Sequence, residues 1–148
     1  MRMRFLAMLF LLCAPVPWSC ASAQGDGAGA PTAPFKERMR IFFAAGSSDI
    51  SAHGLATIRR VVEVARELDA LSIKIVGHAD RIGIAADNER LAQERAQNVA
   101  AAIKNAQVPD GALSPVESRG STEPFTTDRN ALHLNRRVEI SIYGIPRL

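Results

Sequence analysis

Residues 71–95 read LSIKIVGHADRIGIAADNERLAQER, and the fold turns on them. Leu71, Ile73 and Ile75 alternate with Ser72 and Lys74, the period-two pattern of a strand with one buried face, and Gly77 stops it. His78-Ala79-Asp80-Arg81-Ile82-Gly83 then reads as a loop, and Asn88 as the cap of a helix that reaches about Asn105. On a wheel at about 100° per residue, Leu91, Ala92, Ala96, Val99, Ala102 and Ile103 share one arc, with Arg90, Gln93, Glu94, Gln97 and Lys104 opposite. Asn88 and Arg95 fall inside the apolar arc, nearly two turns apart and therefore on one face. A cation stands where a leucine would pack.

A guanidinium taken out of water without a partner costs several kcal/mol, so Arg95 needs an anionic neighbour or a route to solvent. Two readings fit. In the ordinary one the side chain snorkels, its stem covering core and its head reaching water or an internal carboxylate, with Asp80 a candidate partner. In the other the head receives an anionic ligand. Asp80 follows a strand end and leads toward the helix, in the kind of loop where binding groups concentrate. It equally suits an aspartate that bonds its own backbone, as Asp-x-x-Gly sequences often do.

Upstream, Met39, Ile41 and Phe43 alternate with Arg38, Arg40 and Phe42 as a first strand, ended by Gly46-Ser47-Ser48. Asp49 or Ser51 caps a helix in which Leu55, Ile58, Val61, Val62, Ala65 and Leu68 recur at helical spacing. Downstream, Val116 to Arg119 is a short strand and Ser121 to Leu134 a polar loop. Arg137 to Tyr143 closes the domain, with Val138, Ile140 and Ile142 facing in and Arg137, Glu139 and Ser141 facing out. The predicted order is βαβαββ: a single-domain α/β sandwich, a mixed sheet of about four strands carrying two main helices.

The 148 residues suit one domain preceded by an export signal. Arg2 and Arg4 precede an apolar run from Phe5 to Leu12, and Ala21-Ser22-Ala23 offers a small-x-small cleavage site, so residues 1–23 are read as a signal peptide and Gln24 as the mature start. Residues 24–36, rich in Gly, Ala and Pro, form a flexible leader, and 37–148 the domain. The apolar run is too short to span a bilayer comfortably and nothing after it could, so no transmembrane span is expected in the mature chain. Cys13 and Cys20 both precede the cut, leaving no disulfide; Cys20 as a lipidated N-terminus is the alternative, which Pro17-Trp18-Ser19 disfavours. Removing Arg2 and Arg4 lowers the net charge from +3 to +1. That balance speaks against a nucleic-acid partner, which calls for a basic surplus on one face.

Catalysis finds little purchase. His53, His78 and His133 show no ligand spacing to one another, and no serine sits in a nucleophile elbow. No metal, cofactor or enzymatic activity is expected. His78 reads as a loop histidine that bonds backbone.

Gly77-His78-Ala79-Asp80, Gly83, Asn88, Leu91, Arg95-Ala96 and Asn135-Arg136-Arg137-Val138 together resemble the signature of the OmpA-like domain family, over roughly Arg38 to Tyr143. The resemblance implies non-catalytic binding of peptidoglycan in a Gram-negative envelope, the aspartate and arginine clasping diaminopimelate of the peptide stem. Here those would be Asp80 and Arg95. A head group with an ammonium and a carboxylate on one carbon calls for an acceptor and a fork-shaped donor a few ångström apart. Asn88 at the family's asparagine position would cap its helix or bond the ligand. Arg136 would line the groove and Arg137 sit on the strand in solvent. Ala92, Ala44 and Ala45 depart from the family's polar choices, which bears on affinity more than fold. A periplasmic location follows, possible partners including other envelope proteins. The rival is a protein-interaction module of the same fold with an internal Asp–Arg pair.

Overall fold

The computed structural model describes residues 35–68, 70–108 and 111–145. The residues read as a signal peptide, and most of those read as a leader, lie outside the described residues. Four strands and two long helices follow in the expected order: β1 Phe35–Phe42, α1 Ala52–Glu67, β2 Ala70–Gly77, α2 Ala85–Asn105, β3 Glu117–Ser118 and β4 Arg137–Gly144. Phe35 and Lys36, assigned by composition to the leader, are already in β1.

The sheet runs β1-β4-β2-β3. β4 is antiparallel to both β1 and β2, while β3 is parallel to β2, so the sheet is mixed. Ile41, Ile73, Ile75, Val138, Ile140 and Ile142 project from one face, where they meet Ile58, Val61, Val64 and Ala65 of α1 and Ala96, Val99 and Ile103 of α2. β-branched residues on the pleat and small or branched residues on the helices let the layers close. Among the described residues, Arg95 is the one large polar side chain with no exposed surface.

Ser51 accepts from Gly54 N at 3.2 Å and is the cap of α1. The buried arc of that helix is rotated toward Val64 because α1 packs against α2 as well as the sheet, and Leu55 is left on the solvent flank, 45% exposed. Asn88 is not a cap. Gly83, at φ +92°, finishes the loop early, Ile84 takes the cap position without a side-chain bond, and the Asn88 N–H already donates to Ile84 O within the helix at 3.0 Å. The region read as a polar loop contains a kinked 3-10 segment, Arg129–Asn135, started by Asp128 accepting from Asn130 N at 2.9 Å.

Gly77 sets the spacing between β2 and α2. A Cβ there would overlap the Ala92 carbonyl oxygen and lie 2.8 Å from its carbon. Ala92, fully buried, is small on the matching side, so strand and helix come together where β2 hands over to the loop carrying Asp80.

Candidate functional site

The β1–α1 loop, the β2–α2 loop, α2 and the residue just before β4 converge on a cleft of about 240 Å³. Asp80, Asn88, Arg95 and Arg136 line it, together with apolar groups from Ala45, Ala79, Ile82 and Leu91. All four sequence-nominated residues therefore reach one cavity.

Arg95 enters from below, fully buried. Its guanidinium donates from Nε to Ser47 O at 2.8 Å, from Nη2 to Ala44 O at 3.0 Å and from Nη1 to His78 O at 3.4 Å. The Phe43 ring lies beneath it, 5.3 Å from centroid to Cζ. A guanidinium has five N–H donors, and the protein engages three, leaving one on each terminal nitrogen. Burial pulls its pKa down to about 10, Asp80 opposing the shift and Arg136 adding to it. The group is still cationic at neutral pH.

Asp80 does not pair with Arg95, which corrects the simplest expectation. Its Oδ2 meets Arg136 Nη1 at 3.1 Å, while its Oδ1 accepts from Ile82 N at 3.1 Å. The aspartate thus braces its own turn and forms an ion pair, and each oxygen retains acceptor capacity beyond its one partner. Arg136 is held in turn by donating from Nε to Phe43 O at 3.1 Å. Asn88 is buried and its carboxamide has no hydrogen-bond partner among the described residues. Two guanidiniums and one carboxylate give the cleft a net positive charge, set in low-dielectric surroundings where charges act strongly.

What the sequence did not disclose is that backbone carbonyls hold Arg95. Main-chain acceptors carry no residue signature, and only Gly46-Ser47-Ser48 hinted that the chain turns back there. Arg137 keeps its outward face but not its solvent. Instead of lying in solvent it is buried, its Nε on Glu139 Oε1 at 2.8 Å and its Cζ 5.6 Å from the Phe125 ring, because the loop after β3 folds over that face of the sheet.

His78 joins the two regions. Its N–H donates to Arg137 O at 2.9 Å, but its ring Nδ1 is buried without a partner, contrary to the expected backbone bond. Burial, reinforced by Arg137 and Arg119, pushes its pKa below the ordinary histidine value against the pull of Glu139 and Glu123. The unfolded chain therefore takes up the proton first. Stability held above about pH 6.5 should fall as pH drops through that value toward the lower folded pKa. His78→Gln is expected to flatten this slope, read from urea midpoints between pH 7 and 5; an unaltered slope would count against it.

No group of three or more metal-ligating side chains occurs among the described residues, and no described helix is long and apolar enough to cross a membrane.

Comparison with known proteins follows the same lines. Outer membrane protein A of Bordetella avium is 31% identical over 105 residues, covering 70% of this chain and 54% of that protein. The chain spans about half the length of the first curated relatives it matches. The OmpA-like domain of FopA1 from Francisella tularensis shares the fold at a TM-score of 0.68 and 20% identity, covering 76% of this chain and 75% of that one. The cell wall anchor of the T6SS from Pseudomonas aeruginosa aligns at a TM-score of 0.62 and 26% identity, covering 74% and 82% respectively. The OmpA family model matches residues 42–137, which take in both loops of the cleft, and the chain belongs to that family.

Proposed function

We propose that this domain binds peptidoglycan without catalysis, gripping the zwitterionic end of diaminopimelate in the peptide stem and so anchoring or organising a Gram-negative envelope from the periplasm. The observation that carries this reading is a guanidinium lining the cleft whose three bonds to the protein leave two N–H donors unused, with the Asp80 carboxylate lining the same cleft. Arg95 receives the carboxylate on its two unengaged N–H groups. Asp80 receives the ammonium on its remaining lone pairs, and Arg136 keeps that acid ionised and oriented. Asn88 offers a neutral donor and acceptor beside them. A relative described as a cell wall anchor lends support.

The second reading, a protein-interaction module with an internal ion pair, draws on the Asp80–Arg136 contact at 3.1 Å. Retention of the mature chain on protein-free sacculi separates the two. Retention is expected, and should be competed by free meso-diaminopimelate and lost by at least about tenfold in Asp80→Asn, since a charge-assisted bond is worth roughly 1.5–3 kcal/mol. Retention indifferent to both the amino acid and Asp80→Asn would refute the clasp. Recovery only in the presence of another envelope protein would favour the rival.

A further inference from the structure

The cleft has two unlike halves. Its polar floor accounts for a head group, but its volume of about 240 Å³ leaves space beyond the few heavy atoms such a group contains. Ile82 and Leu91 line that remainder. A single exposed aliphatic residue needs no explanation by itself, and Ile82 is 64% exposed. What sets it apart is that it is held in place at the cavity. Its N–H is bonded to Asp80 Oδ1 at 3.1 Å, and Gly83 turns the chain immediately after it. The carboxylate that faces the arginines therefore also fixes where this side chain stands. Ile84, 68% exposed and only two residues on, is not among the residues lining the cleft.

We infer that Ile82, with Leu91 behind it, is a specificity-determining wall that covers the aliphatic arm of the ligand, so that the site selects a zwitterionic amino-acid head carried on a methylene chain over a short amino acid. This rests on the reading that the cleft takes such a head group. Covering a methylene chain removes apolar surface from water on both sides, and an apolar wall discriminates by about tenfold or more per methylene. The wall adds nothing for an amino acid that ends at Cβ.

Calorimetric titration of the mature chain with meso-diaminopimelate and with D-alanine tests the inference. The wild type should bind the longer amino acid at least about tenfold tighter. Ile82→Ser should weaken meso-diaminopimelate by about tenfold and leave D-alanine unchanged. Ile84→Ser, the control, should alter neither affinity while raising the thermal midpoint, because it supplies the missing cap of α2. Undiminished meso-diaminopimelate affinity in Ile82→Ser overturns the wall; if Asp80→Asn still abolishes binding, the clasp survives that result. Equal affinity of the wild type for both amino acids also overturns the wall alone, and binding of neither overturns wall and clasp together.

Discussion

Arg95→Ala is expected to abolish retention on sacculi and to destabilise the domain by about 3 kcal/mol. Two losses add. The substitution strips charged donors from the carbonyls of Ala44, Ser47 and His78, and buried acceptors without partners cost roughly 1–3 kcal/mol each before relaxation. It also leaves a cavity where the fully buried side chain stood, its guanidinium over the Phe43 ring. Relief from desolvating a cation offsets part of this, which is why the sum falls well short of three full penalties. Arg95→Met distinguishes ligand from fold. It nearly preserves volume and removes the charge, so its stability loss should be smaller, about 1–2 kcal/mol, with binding lost as completely as in the alanine variant. Urea midpoints and sacculus retention measured on both proteins decide the matter. A folded Arg95→Met that still binds at wild-type strength would show that the cation is structural alone.

Gly77→Ala should be worse for the fold than any single change on the surface, at about 3 kcal/mol or more. The added methyl meets the Ala92 carbonyl, which is helix backbone and has no rotamer to give way. Either α2 shifts outward or the peptide tilts and loses its own hydrogen bond. An outward shift carries Asn88 and Arg95 with it, so retention on sacculi should drop even in the fraction that folds. Gly83→Ala is the informative contrast. Nothing lies within 4 Å of a Cβ there, and only the strain of φ +92° opposes it, on the order of 1 kcal/mol. Comparable losses at the two positions, by denaturant midpoint, would mean that helix–strand spacing is not set at Gly77.

These two residues mark where sequence reading succeeds and where it stops. The alternation of Ile73 and Ile75, and of Val138, Ile140 and Ile142, fixed which face of each strand is buried, because a one-residue slip would turn every branched side chain into solvent. The helical spacing of Ala92, Ala96, Val99 and Ile103 did the same for α2, and exposed Arg95 as a cation on the wrong side. Periodicity is local, so one chain segment suffices to read it. The position of Asn88 on the cleft face followed from that spacing, whereas the start of the helix did not, since nothing in Ala85-Ala86-Asp87 forbids an earlier turn.

Pairing was different. An acid and a base at suitable positions invite the assumption that they meet, yet Asp80 finds Arg136, 56 positions away, and Arg95 finds three carbonyls instead. Arg137 illustrates the same point from the other face: its alternation marked it as outward, and outward it is, but the loop from Arg119 to Asp128 covers it. The sequence by itself determined the layers, the strand faces and the identity of the four polar residues that share the cleft. Which charges join which, and that a cation is held by main-chain oxygens, were settled only by tertiary structure, because loop closure between distant segments depends on how the whole chain packs and leaves no periodic trace in any one of them.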